Sequence, residues 1–372
     1  MRGIRARERV AELLALADVA INGDRPWDIQ VHDERLYARV LAGGELGLGE
    51  SYMDGWWDCE RLDELVHRGV RAGLGAHLRL WKDALLLLQA RLVNLQKPAR
   101  AFRVGRHHYD LGIELFRSML DKRLIYSCGY WRDAATLDEA QEAKLDLVCR
   151  KLELRPGMRV LDIGCGWGGT EKFVAERYHV GVLGITVSEE QAKYGQQLCD
   201  GLDVEIRLQD YRSLEGTFDR VLSLGMFEHV GYKNYGAFTR FVRSHLVDDG
   251  LFLLHSIAGN RSRNKGDPWT DRYIFPNSML PSGKQICAAI EGTFVIEDWH
   301  NFGADYDKTL MHWYQNFERG WPALKNRYDE RFYRMWRYYL LSCAGSFRAR
   351  KNQVWQIVLS PRGVPGGYRA PR

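Results

Sequence analysis

Beyond Pro156, short apolar runs alternate with stretches in which apolar residues recur every three or four positions. The runs at 158–163, 181–187, 203–208, 218–224 and 250–256 read as strands, and 168–178, 189–199 and 234–246 as helices. Runs that are apolar on both faces suit a parallel sheet covered by helices, so the pattern predicts an α/β, doubly wound, Rossmann-like sheet. Its ligand site is then expected at the carboxyl ends of the strands. Two further strand patterns, "TFVIEDWHNF" and "NQVWQIVLS", follow. The roughly 50 residues between them are mostly helical and rich in Tyr and Trp, too many for a hairpin loop, and predict a cap over the site at 304–350.

The first part of the chain reads differently. Residues 6 to 96 mix short apolar patterns with turns such as "NGDRP" and "LAGGELGLGE", which predicts a small, separate α+β domain over 1–96. "QKPAR", with its Pro98, marks a linker at 97–105. The helical patterns "HHYDLGIELFRSML" and "TLDEAQEAKLDLVCRKLEL" then predict a lid, 106–155, at the front of a catalytic unit spanning 106–372.

Composition narrows the class. With 372 residues, 45% of them hydrophobic and 12 of them Trp, the chain can bury sizeable cores. It has no apolar run long enough to span a bilayer, and "MRGIRARERV" lacks the apolar centre of a signal peptide, so a cytoplasmic location is expected. Seven scattered cysteines without a C-x-x-C pair argue against a disulfide framework and a structural zinc site. The net charge of +5 is unevenly spread, with eight Lys or Arg between Arg71 and Arg106 against the single acid Asp83. Leu78, Trp81, Leu85, Leu88, Leu92 and Leu95 recur there at helical spacing. The segment is either a core helix with a solvated rim or a helix that lies on an anionic membrane surface. No helix-turn-helix, zinc-finger or RNP motif points to nucleic acid.

The candidate chemistry begins at "VLDIGCGWGG", residues 160–169. Gly164, Gly166 and Gly169 satisfy the dinucleotide pattern G-x-G-x-x-G, while Asp162, Gly164, Gly166 and Gly168 satisfy the looser D-x-G-x-G-x-G of S-adenosylmethionine (AdoMet) enzymes. A nicotinamide site needs an acid at the end of the second strand to hold the ribose. Thr186 stands there, and the first acids, Glu189 and Glu190, fall inside the next helix. Asp162 ahead of the turn suits a cationic ligand, and Tyr126, Tyr130, Trp131 and Trp167 would attract a sulfonium through their ring faces. The balance favours AdoMet.

The strings "LGLGESYMDGWW", "HYDLG", "YSCGYW", "GMFEHVG", "YIFPN" and "EDWHNFGADYDKTLMHWY", taken together, resemble the cyclopropane-fatty-acyl-phospholipid synthases, AdoMet enzymes related to the mycolic acid cyclopropane synthases. The resemblance covers nearly the whole chain, with Gly129 standing where Ala is more usual. It implies a class I AdoMet methyltransferase that moves a methyl onto a cis double bond of an acyl chain in a membrane phospholipid. The carbocation so formed must lose a proton for the ring to close. The site must therefore be dry, and the family's base is thought to be bound bicarbonate. Carried over by position, its holders would be Cys128, Glu228, His255, Tyr306 and the backbone of Ile257. The AdoMet residues would be Tyr126, Ser127, Gly164, Gly166, Gly168, Thr186, Gln191, Gln209 and Asp210, with Asp162 from the turn itself. The resemblance also implies a homodimer held peripherally on the inner face of the cell membrane, and it requires no metal.

Glu228 and His255 follow or end strands, where such folds react, and His, Tyr and backbone N–H groups can hold a small anion. Cys343, near Arg348 and Arg350, invites a reading as a low-pKa nucleophile. Sulfonium chemistry needs no covalent activation, which favours a packing or substrate-lining role. Alternative outcomes are a methyl- or methylene-branched acyl chain from the same site, methylation of a small molecule, or a membrane-binding protein without chemistry.

Overall fold

The computed structural model describes residues 2–79 and 112–372. The basic segment from Leu80 to Leu111, with the linker and most of the "HYDLG" string, lies outside the described residues. Five helices and a two-stranded ribbon make up the described N-terminal part: α1 (Arg2–Ala15), α2 (Arg35–Gly43), α3 (Glu45–Met53), α4 (Leu62–Arg71), α5 (Leu74–Arg79), β1 (Gln30–Val31) and β2 (Trp57–Asp58). After α6 (Ile113–Met119) and α7 (Leu137–Lys151) comes the sheet region. It contains β3 (Arg159–Ile163), α8 (Gly169–Tyr178), β4 (Gly181–Thr186), α9 (Glu189–Leu198), β5 (Val204–Leu208), β6 (Phe218–Leu224), α10 (Phe227–Val230), α11 (Tyr235–His245), β7 (Leu246–Gly259), α12 (Pro268–Tyr273), α13 (Gly283–Ile290) and β8 (Val295–Asn301). The cap is α14 (Asp305–Leu324) and α15 (Glu330–Arg348), and β9 (Asn352–Ser360) returns to the sheet.

The sheet runs β5-β4-β3-β6-β7-β9-β8. Its first five strands are parallel, and β9 enters antiparallel between β7 and β8. Val160, Leu161 and Ile163 of β3 are buried, as its continuous apolar run predicts. The strands expected at 158–163, 181–187, 203–208 and 218–224 all form, within a residue of the expected ends. β7 is the exception, at 14 residues against the seven expected. Asp248 and Asp249 read as a turn, yet Leu246 already pairs with Phe218 across a bulge, and β9 sustains pairing on the other side as far as Gly259.

Several helices start where the sequence supplies a side-chain cap. Thr136 Oγ1 accepts from the Glu139 N–H at 3.3 Å while Glu139 Oε2 accepts from the Thr136 N–H at 3.1 Å, which fixes the start of α7. Ser282 and Gln285 do the same for α13.

The N-terminal unit is fastened to the cap. Tyr52, Trp57, Leu62 and Leu65 share one core with Trp336, Tyr338, Leu341 and Ala344 of α15. A Cβ on Gly345 would stand 2.2 Å from the Asp63 carbonyl oxygen, so α4 and α15 cross at a distance only glycine permits. Arg334 donates to Asp58 at 2.7 Å, and Arg348 donates to the buried Asp63 at 2.7 Å and to Asp307 at 2.9 Å. What surrounds the site is thus one continuous body of lid, cap and N-terminal helices.

Candidate active site

A cavity opens at the carboxyl ends of β3, β4 and β6, under the lid. Tyr126, Ser127, Asp162, Gly164, Gly166, Thr186, Gln191, Gln209 and Asp210 all line it. Nine of the ten residues singled out for the cofactor therefore meet in one place. The tenth, Gly168, does not line it: a Cβ there would meet the Gly195 Cα at 2.8 Å, so this glycine lets α8 approach α9. Trp167 joins the lining, whereas Tyr130 packs edge-on against His300 and Phe302, and Trp131 stacks on His312. Tyr130 thus packs the lid on the end of β8 and Trp131 packs it on α14, which leaves the ring-face attraction to Tyr126 and Trp167.

The turn is built for close approach. Gly164 and Gly166 have φ of 101° and 57°. No protein atom lies within 4 Å of where a Gly166 Cβ would be. Beyond β4, Thr186 Oγ1 donates to Gln191 Oε1 at 2.8 Å. Glu189 points to solvent and Glu190 accepts from the Ile113 N–H at 3.2 Å, so neither is placed as a ribose acid.

Asp162 is buried, with Oδ1 lacking any partner among the described residues. Burial pushes it up to about 6, against the pull of the neighbouring Glu171 and of the Lys144 ammonium. Glu171 is held well above the carboxylate range by burial and then by the Asp162 charge, so it carries the proton the pair shares. Lys144, fully buried on α7 and pushed down to about 8 by burial, donates to Ser127 Oγ at 3.1 Å. A negative oxygen with no partner, in a cavity walled by aromatic rings, fits the cationic AdoMet.

The second group of candidate residues does not line this cavity. Glu228, on α10 just past β6, is buried, and its Oε1 accepts from the Ile257 N–H at 2.6 Å. Its Oε2 is buried without a partner among the described residues, and burial pushes the carboxyl up to about 7. His255, on β7, is buried and driven well below the imidazole range by burial and then by Lys144 and Lys151, so it is neutral. The Tyr306 phenol is pushed well up by burial, followed by the influence of Cys128, Tyr126, Glu228 and Cys343.

Two of the expected anion donors are committed elsewhere. The Ile257 amide is taken by Glu228, and the Cys128 S–H donates to the Gly129 carbonyl at 3.2 Å, in a thiol that burial holds well above its ordinary value. Of the expected holders, His255 and Tyr306 keep side-chain protons that no hydrogen bond takes up among the described residues. Gly129 is tightly packed rather than loose, since a Cβ would stand 3.0 Å from that of Ala140. Cys343 is half-buried on α15, with its thiol pushed up to about 12 by burial. Arg348 is engaged with Asp63 and Asp307, and Arg350 with Gln353, so neither activates it.

Several lining residues carry no assignment from the sequence. His229, pushed down to about 4 by burial, and Met226 lie in "GMFEHVG", while Pro276 and Asn277 lie in "YIFPN". Those strings flagged the segments without saying which side chain turns inward.

The fold and the cavity define a class, the AdoMet-dependent methyltransferases. A model of the family described as mycolic acid cyclopropane synthetase matches residues 96–357, and the chain belongs to that family. It is 55% identical to the cyclopropane-fatty-acyl-phospholipid synthase of Escherichia coli strain K12, over 97% of this chain and 94% of that protein. Among solved structures it resembles the cyclopropane synthase MmaA2 from Mycobacterium tuberculosis at 31% identity, covering 72% of this chain and 99% of that one with a TM-score of 0.67. It also resembles the mycolic acid cyclopropane synthase CmaA1 complexed with SAH and CTAB at 34% identity, covering 69% and 97% with a TM-score of 0.65.

Proposed function

We propose that this enzyme methylates a cis double bond in an unsaturated acyl chain of a membrane phospholipid and closes it to a cyclopropane ring, with bound bicarbonate as the base. The name of the Escherichia coli relative supports the phospholipid substrate. The observation that carries the reading is Glu228, a carboxylate buried at a cost, with one oxygen unpartnered among the described residues and the Tyr306 phenol within its electrostatic reach. Such a group fits a small anion that brings its own proton. When bound, AdoMet supplies an electrophilic methyl and bicarbonate supplies the basic oxygen.

The chain's own residues do the rest. Asp162, the glycine turn and the Thr186–Gln191 pair hold the cofactor under the lid. Glu228 accepts a hydrogen bond from the anion, and His255 and Tyr306 donate to it, which orients its basic oxygen toward the proton to be removed. Removal of that proton from the transferred methyl leaves its electron pair to close the ring. Water would instead trap the cation as an alcohol. The wall against it is aromatic: Tyr126 packs on Phe116 and Trp313 with ring centroids 5.3 and 5.2 Å away, and Tyr306 packs on Trp313 and Phe347 at 5.8 and 4.6 Å.

The reading places the enzyme as a peripheral homodimer on the cytoplasmic face of the cell membrane. Its support is the charge imbalance between Arg71 and Arg106, which suits anionic lipid. Among the described residues no helix is long and apolar enough to cross a membrane.

Withdrawal of dissolved carbon dioxide and bicarbonate is expected to slow turnover on monounsaturated phospholipid vesicles, and added bicarbonate to restore it. A rate indifferent to bicarbonate would leave Glu228 itself, or water, as the base.

A further inference from the structure

His255, Gln356 and His300 stand side by side on three adjacent strands. Gln356 of β9 is in register with His255 of β7 on one side and with His300 of β8 on the other. Residues paired in this way project from the same face of a sheet. Gln356 is fully buried, and its Nε2 lies 3.4 Å from His255 Nδ1. An amide nitrogen can only donate, so with the Gln356 amide in this orientation Nδ1 accepts and His255 carries its proton on Nε2.

The other end of the row has the same polarity. Lys151, fully buried and 3.1 Å from Asp298, donates to His300 Nδ1 at 3.2 Å, which leaves the proton of the neutral His300 on its own Nε2. Between the two imidazoles, Gln356 Oε1 is buried with no partner among the described residues. It is an acceptor set beside a ring whose Nε2–H is available to donate. Lys151 thus sets the tautomer of His300, and Gln356 sets that of His255.

We propose that Gln356 is a positioning residue for the reaction: held in register between two histidines, it fixes His255 as the tautomer that presents an N–H from Nε2 to the reacting anion. The inference rests on the reading of His255 as an anion donor. A glutamine inside a buried strand is costly unless its hydrogen bonds do something that an apolar residue could not. Packing alone would favour Met or Leu here.

The test is histidine-selective nitrogen-15 NMR of the full chain, with Gln356→Met as the variant. Wild-type His255, assigned by loss of its signals in His255→Ala, should show its proton on Nε2. Gln356→Met matches the side chain in length and removes the unpartnered oxygen, so its thermal midpoint should hold or rise. Its kcat should nevertheless fall by roughly 10–100-fold, as when the partner that orients a metal-bound histidine is lost, with AdoMet affinity unchanged. Its His255 signals should move toward a mixture of tautomers. A wild-type proton on Nδ1 overturns the proposal whether or not the variant folds, and so does a Gln356→Met enzyme with wild-type kcat when His255→Ala is inactive. Full activity in His255→Ala would overturn the donor reading itself, a distinct failure.

Discussion

Glu228→Gln is expected to abolish most turnover while making the protein more stable at alkaline pH. Burial holds this carboxyl at about 7, above its unfolded value of 4.5. A raised folded pKa favours the protonated native state, so the stability it confers is present below pH 4.5 and is lost as pH climbs through 7. Two and a half units correspond to about 3 kcal/mol at most. Gln keeps an oxygen for the Ile257 amide and cannot ionise, so its thermal midpoint should match the wild type near pH 4 and exceed it progressively between pH 5 and 8. Glu228 does not line the cofactor cavity, so AdoMet affinity should hold. The rate should fall by a factor on the order of 10² or more, the usual scale of acid–base assistance. Adding Tyr306→Phe should cost less than the product of the two single losses, because both groups serve one anion. Cys343→Ser should retain most activity. Wild-type turnover in Glu228→Gln, or an unchanged dependence of its stability on pH, would remove Glu228 from the mechanism.

The second large effect is at the cofactor turn. A ligand that binds only the native state at 100 times its Kd stabilises it by about 2.7 kcal/mol. AdoMet should therefore raise the wild-type thermal midpoint by several degrees, and NAD should not. Gly166→Val should abolish that rise. Its Cβ would meet no protein atom within 4 Å, which directs the side chain into the open cavity, while a φ of 57° adds strain of roughly 1–3 kcal/mol without breaking the fold. Gly168→Val should act differently and lower stability directly, because its Cβ would meet the Gly195 backbone. A rise with NAD, or an undiminished AdoMet rise in Gly166→Val, would contradict the cofactor assignment.

These contrasts mark what a sequence can and cannot show here. The parallel strands were legible because buried strands are apolar on both faces, and the glycine turn because close approach leaves no other residue. The cofactor class was legible because the ribose acid is missing after the second strand and Asp162 precedes the turn. Gly168 stands outside the cavity lining and packs against Gly195, a role that the motif does not distinguish from contact with a ligand. Ile257 and Cys128 were assigned as donors by position, and only coordinates reveal that their protons are already given to Glu228 and Gly129. β7 runs longer than its apolar run because Leu246 pairs with Phe218 before a bulge and β9 carries pairing on through Ile257, Ala258 and Gly259. Gln356 was hidden for a related reason: its meaning lies in His255, 101 residues away in sequence and adjacent only in the sheet.

The central claim is ring closure on a phospholipid acyl chain, and the product tests it most directly. Purified enzyme would be incubated with AdoMet and monounsaturated phospholipid vesicles without any reductant, and the released acyl chains analysed by mass and proton spectra. The expected result is a gain of one methylene, loss of olefinic protons and appearance of cyclopropane ring protons. Retained olefinic protons, an exomethylene group or an unchanged acyl chain would contradict the account.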